Sequence, residues 1–232
     1  MRVLELGGYL VPAYAGMILA EQGHEVTKWV SPDRADPIQG LRDGDALWAW
    51  VNHGKHVQAR HARGVAEIPS GPAAPEGIVD NVRAATWQAW GVDPAEVAGR
   101  LGVPWVSMRD DFDQRSFDAV AQARAWGDHL GWVPAYLGDT CGGLWLAFKL
   151  LNAAPGHHVL RQGAVLAKLV EGELVVTPAR DGQQTPWDPP GTYGANGQGV
   201  RVRYRGEEIT EPFRDAAWRL ARLQHTAGRL TV

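Results

Sequence analysis

The stretch YLGDTCGGLWLAFKLL, Tyr136 to Leu151, sets one aspartate, one cysteine and two glycines directly ahead of an apolar helical run. Two readings of Asp139 fit those residue types. As an N-cap, its carboxylate accepts hydrogen bonds from N–H groups of the first turn, and Gly142 with Gly143 lets the helix pack closely. As a reacting group, the same carboxylate attacks an acyl carbon, and the helix N-terminus stabilises the anion and the oxyanions formed during acyl exchange. The two roles are compatible. Cys141 offers a thiolate alternative, because a helix dipole can lower a thiol pKa. Against it, no histidine lies near in sequence, and a small buried residue suits the position as well.

Other chemistry-bearing groups are weaker. His53, His56 and His61 cluster, as do His157 and His158, but their spacing matches no zinc pattern and no carboxylates are interleaved, so no metal site is read. LGGYLVPAYAG near the N-terminus does not spell the G-x-G-x-x-G phosphate fingerprint. The WVSPD segment that follows lacks an acid where a ribose would be held, which speaks against NAD or FAD.

The elements that must position these residues follow from pattern. MRVLEL reads as a strand, Gly7–Gly8 as a turn and PAYAGMILAEQG as a helix. Pro12 suits its first turn, Tyr14, Ile18, Leu19 and Gln22 recur at helical spacing, and Gly23 caps its end. HEVTKWV is a second strand, which completes a βαβ opening and predicts a parallel sheet with helices on its faces. Further strands are expected at GIVDN and PWVSM, separated by the helix DPAEVAGRLG with Asp93 as cap and Pro94 in the first helical position. The expected fold is α/β: a Rossmann-like parallel sheet with flanking helices over residues 1–153, then a short β-rich part and a terminal helix over 154–232. In that second part GAVLAKLVEGELVVTPA and GVRVRYRGEEIT both read as hairpins, joined by a Gly/Pro-rich loop from Asp181 to Gly199. EPFRDAAWRLARLQH closes the chain as an amphipathic helix.

Composition narrows the function classes. The 232 residues are 45% hydrophobic and 21% charged with a net charge of −3, which suits a globular protein and leaves no basic footprint for nucleic acid. No run approaches the roughly 18 apolar residues of a membrane span. With a single cysteine, no intrachain disulfide is possible, and a cytoplasmic location is expected. Most of the eleven tryptophans, such as Trp48, Trp50, Trp87, Trp90 and Trp145, suit either a core or an interface.

MRVLELGGYLVPAYAGMILAEQGHEVTKWV resembles the opening of the class III CoA-transferases, the family of formyl-CoA transferase, carnitine CoA-transferase and α-methylacyl-CoA racemase. VNHGK is similar to the family's N-r-G-K turn, IVDNVRAATWQAWGVDP to its v-v-E-N-f segment, FDAVAQARAWG to Y-d-x-v-a-Q-a, and LGDTCGGLWLAFKLLNA to the block that carries its aspartate. The resemblance covers residues 1–153 in five ordered blocks. The chain departs from it at Val30, Ser31, Ala89 and Asp80, and the family's second domain is mostly missing.

The resemblance implies Asp139 as the nucleophile of CoA transfer between an acyl-CoA and a small carboxylic acid, through an aspartyl-acyl anhydride and an aspartyl-CoA thioester. It implies coenzyme A contacts at Arg63 and Arg115 and at the turn of Asn81 and Val82, with Gly142 and Gly143 leaving room for the pantetheine and acyl group. Arg60 stands one step from Arg63 to assist. CoA enters as substrate, with no metal, and the expected assembly is a homodimer or a hetero-oligomer with a longer family member. Two other readings stay open: a non-catalytic CoA-binding or scaffolding subunit of a split enzyme, and racemase-type proton transfer with His129 and Asp128 enlisted.

Overall fold

A computed structural model of the chain describes residues 1–41, 43–110, 112, 117–126, 136–170, 199–204 and 207–212. Contacts divide the chain into two compact units, residues 1–109 with 139–161, and residues 110–138 with 162–232. The boundary expected at residue 153 falls inside the first unit.

The first unit is built on six parallel strands, β1 (Arg2–Leu6), β2 (Glu25–Val30), β3 (His56–Ala59), β4 (Gly77–Asp80), β5 (Pro104–Arg109) and β6 (Gly156–Arg161). They lie in the order β3-β2-β1-β4-β5-β6, so the direction of winding reverses between β1 and β4. In open parallel sheets, ligands are held in the crevice at such a reversal, beyond the strands' C-terminal ends. The expected strands β1, β2, β4 and β5 are present. β3 and β6 form the two edges.

Helix α1 (Leu10–Glu21) follows β1 as read. Its end is closed by Gly23 at φ 82, with Gly23 N donating to Ala20 O and His24 N to Leu19 O, a pair of bonds that satisfies carbonyls the helix would leave open. Helices α2 (Gly44–Asn52) and α3 (Ala84–Ala89) join it, followed by α4 (Pro94–Leu101), whose cap Asp93 accepts from Ala95 N. The second unit holds α5 (Asp118–Trp126) and the unit boundary falls within α6 (Leu137–Asn152).

Register sorts the side chains onto two faces. Leu4, Leu6, Trp29, Ile78, Asp80, Trp105, Ser107 and Arg109 share one. With Val65, Trp87, Val92, Val97, Ala98 and Val103, its apolar members form the main core cluster. Val3, Glu5, Val26, Lys28, Val79, Val106 and Met108 share the other, which α1 and α6 cover: a Cβ placed on Gly16 meets Glu5, and one on Gly142 lies 3.5 Å from Met108.

One expected hairpin changes class. GAVLAKLV is not a strand but lies in α7 (Gln162–Val170), where alanine, leucine and lysine favour a helix and Val165 and Leu166 are buried together. The rest of that hairpin, from Glu171, lies outside the described residues. The other is present, as β7 (Gly199–Tyr204) paired antiparallel with β8 (Glu207–Pro212). The Gly/Pro-rich stretch up to Gln198 lies outside the described residues, as does the expected terminal helix beyond Glu211 and Pro212, which belong to β8. Among the described residues, no helix is long and apolar enough to cross a membrane.

Candidate active site

Asp139 is the third residue of α6 and is 9% exposed. It therefore stands inside the first turn rather than at the cap, in reach of the partial positive charge of the helix N-terminus. Gly142 beside Met108 and Leu150 beside Gly77 show that α6 runs antiparallel to the strands, so Asp139 is at the C-terminal edge of the sheet. Cys141 is buried at 6% exposure, and burial raises its thiol pKa. With its pKa raised by burial, the thiol is protonated at neutral pH.

The two glycines after Cys141 differ. A Cβ on Gly143 would come within 2.8 Å of Val11 O and 2.9 Å of Tyr14 Cβ, whereas one on Gly142 meets only ordinary van der Waals contacts from 3.5 Å outward. The space beside Gly143 is taken up by α1.

The β1–α1 turn lies at the reversal point. Gly7 has φ 104, and a Cβ there would sit 2.1 Å from Asn81 Oδ1. Asn81 closes the turn from both sides, accepting from Gly8 N at 3.2 Å and donating Nδ2 to Gly8 O at 2.8 Å. Tyr9 has φ 62 and ψ −167, a region costly for any residue with a side chain. Its N–H donates to Asp36 Oδ1 at 3.1 Å. Val82, next to Asn81, packs partly buried against the core cluster and donates its N–H to Asp80 Oδ1 at 2.7 Å.

Each face of the sheet carries a buried ionic group that pattern reading did not single out. On the core-cluster face, Asp80 Oδ1 accepts from Arg109 Nη1 at 2.8 Å and Trp87 Nε1 at 3.2 Å, and Oδ2 from Trp105 Nε1 at 2.7 Å and from Ser107 Oγ. Ser107 Oγ also accepts from Arg109 Nη2 and lies 2.9 Å from His157 Nε2. Because the serine proton is given to Asp80, His157 must carry its proton on Nε2. Burial, the largest influence, lowers the His157 pKa, and neighbouring Asp80 only partly opposes it.

On the α1 face, Glu5 and Lys28 are register neighbours, with Lys28 Nζ 2.7 Å from Glu5 Oε1 and 3.4 Å from Asp36 Oδ2. Lys55 Nζ bonds Glu5 Oε2 at 2.7 Å. Burial pushes the Glu5 carboxyl pKa up, but the two lysines more than offset it and the net shift is down. The sequence signal for this group was a charge in the interior of each of two apolar strands, Glu5 in RVLEL and Lys28 in EVTKWV, of opposite sign.

Of the expected cationic contacts, Arg63 is exposed on a short 3-10 helix, Ala62–Glu67. Arg60 stacks over the Trp29 ring at 4.3 Å, just after β3. Both stand beyond the C-terminal ends of β2 and β3, as Asn81 stands beyond β4. Arg115, Asp128 and His129 lie outside the described residues. Among the described residues, no group of three His, Cys, Asp or Glu side chains is placed to hold a metal ion.

No protein-family model matches the chain. Over 101 residues, 40% of the chain, it is 30% identical to the succinyl-CoA–L-malate CoA-transferase alpha subunit of Chloroflexus aurantiacus, of which it covers 24%. In structure it is similar to a CaiB/BaiF family protein from Brucella suis, with TM-score 0.61 and 16% identity over 74% of this chain and 55% of that one. A hypothetical protein from Mycobacterium tuberculosis matches with TM-score 0.61 and 16% identity over 75% of this chain and 57% of that one. The chain thus spans about a quarter of the curated relative and little more than half of these solved structures.

Proposed function

We propose that this chain, class III CoA-transferase-like in fold and in sequence, transfers CoA between an acyl-CoA and a small carboxylic acid with Asp139 as the acyl acceptor. The observation that carries the reading is a buried carboxylate in the first turn of a helix that runs down from the C-terminal edge of the sheet. Such a position gives a nucleophile and a dipole for the oxyanion together.

The cycle needs neither metal nor redox partner. Asp139 attacks the thioester carbonyl, the C–S bond breaks, and CoA leaves as thiolate. The thiolate attacks the aspartyl carbonyl of the resulting anhydride, the donor acid departs as carboxylate, and an aspartyl-CoA thioester remains. An acceptor carboxylate attacks that thioester, expelling CoA thiolate and forming a second anhydride. The thiolate then attacks the new acyl carbonyl, which releases the new acyl-CoA and restores the Asp139 carboxylate. Arg60 and Arg63, and Arg115 by resemblance, supply cations for the CoA phosphates. Asn81 and Val82 shape the turn toward the pantetheine, and Gly142 is the glycine of the pair that leaves space.

The test is intact-protein mass spectrometry of the purified chain mixed with acyl-CoAs, succinyl-CoA first, trapped with hydroxylamine or borohydride beside Asp139→Ala. A covalent mass change that maps to Asp139 and vanishes in the variant is expected. If a folded chain gives no adduct with any donor, autonomous transfer is wrong. The second reading then stands: a CoA-binding subunit that works with another copy or a longer family member, favoured by the words "alpha subunit" in the relative's name. Co-purification with such a partner would test it.

A further inference from the structure

The charged cluster beneath α1 contains none of the residues assigned above to acyl transfer, and its stereochemistry defines a device of its own. Lys55 Nζ meets three acceptors from three elements: Glu5 Oε2 on β1 at 2.7 Å, Ala13 O in α1 at 2.7 Å, and Asn52 Oδ1 at the end of α2 at 3.2 Å. The side chains of Lys55, Glu5 and Lys28 have no solvent exposure, so water cannot substitute for a missing partner. An ammonium has three protons and fills all three contacts; a neutral amine has two protons and a lone pair, and must leave one acceptor facing that pair. Gly16 makes the arrangement possible, since a Cβ there would stand 2.0 Å from Glu5 Oε2 and 3.0 Å from Lys55 Nζ.

We propose that Lys55 is a proton-operated clamp: charged, it ties α1 and the C-terminal end of α2 to β1, and neutral, it drops the longest of its three bonds, the one to Asn52, and frees the end of α2. Among the described residues, the charged groups that act on the ammonium are Glu5 from β1, Lys28 from β2 and Asp36 from the segment after β2. Burial is the largest influence and lowers the Lys55 pKa, Lys28 adds to it, Glu5 and Asp36 oppose it, and the balance leaves the group at about 8. Lys28 is held charged, its pKa raised by Glu5 and Asp36 against the desolvation that opposes them. The clamp therefore opens by loss of one proton from Lys55 while the Glu5–Lys28 pair persists. Asn52 also donates Nδ2 to Trp48 O at 2.8 Å, so its amide reports on the end of α2 directly.

The experiment is an NMR titration of the full chain from pH 6 to 11. It follows the lysine Cε and Nζ signals, the Asn52 side-chain amide and the Ala13 carbonyl, with the Lys55 signal assigned by its loss in Lys55→Arg. The expected result is a Lys55 midpoint near 8 with the Asn52 amide moving at the same midpoint, no step at Lys28 there, and no Asn52 step in Lys55→Arg, whose guanidinium keeps its proton. The proposal is overturned if Lys55 titrates near the ordinary lysine value of about 10.4. It is equally overturned if Lys55 titrates near 8 while Asn52 stays still, or if the Asn52 step persists in Lys55→Arg. None of these outcomes depends on whether Asp139 accepts an acyl group.

Discussion

A glycine inside a helix ordinarily costs stability, so replacing it with alanine gains up to about 1 kcal/mol. Gly99, on the exposed side of α4 with nothing within 4 Å of a Cβ, should follow that rule. Gly16 in α1 should reverse it, because its Cβ would strike the Glu5 carboxylate and displace a buried ion pair. Gly16→Ala is expected to destabilise by roughly 2–4 kcal/mol, combining overpacking with a weakened buried pair, while Gly99→Ala is neutral to stabilising. Urea unfolding of the two variants side by side checks the contrast. A stabilised Gly16→Ala would mean that Glu5 has room to move.

Asp80 is the second residue whose surroundings decide its value. Its carboxylate takes donors from two indoles, an arginine, a serine and the Val82 N–H, and an asparagine would turn an N–H2 toward one of them. Asp80→Asn also leaves the Arg109 guanidinium, 5% exposed, without its counter-charge among the described residues. A loss of roughly 3–5 kcal/mol is expected, and Arg109→Met added to Asp80→Asn should recover part of it. If the double variant is as unstable as the sum of the two singles, the pair is not coupled.

At the level of elements, the seam between α1 and α6 places Asp139. Gly143 is its closest point, and the atoms a Cβ would meet include backbone, Val11 O and Ala15 N, which cannot rotate away. Gly143→Ala should therefore shift α6 and cost about 1–3 kcal/mol, whereas Gly142→Ala, whose Cβ would stand 3.5 Å or more from Met108 and Val11, should gain a few tenths. If acyl transfer runs through Asp139, the Gly143 variant should also trap less adduct than the Gly142 variant at equal folded fraction.

The seam also marks how far the sequence could be read. α1, α4, β1, β2, β4 and β5 were legible because each combines one period with local punctuation: Gly23 after α1, and Asp93 and Pro94 before α4. The edges were not. β3, HVQA, is exposed along its whole length and so lacks the apolar pattern of a strand; pairing with β2 holds it. GHHVLR follows a proline and two alanines, and its place beside β5 comes from long-range register. GAVLAKLV is apolar enough for either class, and only its packing in the second unit decides. The helix that starts near Asp139 was legible from the apolar run that follows it, but the place of Asp139 inside the first turn rather than at the cap was not. Which glycine packs and which leaves space was not, since that depends on where α1 lies.

Across the whole molecule, the buried groups write a pH profile whose signs can be worked out. Burial lowers the His157 pKa below the ordinary histidine value of 6.5; the unfolded chain then binds a proton that the native chain refuses, so stability falls as pH drops below about 6.5. The Glu5 pKa is lowered below 4.5, so the stability contributed by its charged form is full above that value and is lost as pH falls through the folded pKa. The alkaline side runs the other way at first. Lys55 falls from 10.5 to about 8 on folding, so between those values the unfolded chain holds a proton that the native chain has released, and stability should rise with pH by up to roughly 3 kcal/mol at 1.36 kcal/mol per unit. Above 10.5 the Lys28 contribution, whose pKa is raised on folding, is lost in turn. Urea midpoints taken from pH 5 to 11 should therefore show a shoulder of added stability between pH 8 and 10 that is absent in Lys55→Arg. The same interval is where the Asn52 contact opens, so global stability and the local clamp are expected to move in opposite directions. Relief of a buried charge strengthens the whole, while the loss of one proton loosens the end of one helix. A flat midpoint across that interval would place the Lys55 proton, and with it the clamp, outside the accessible range.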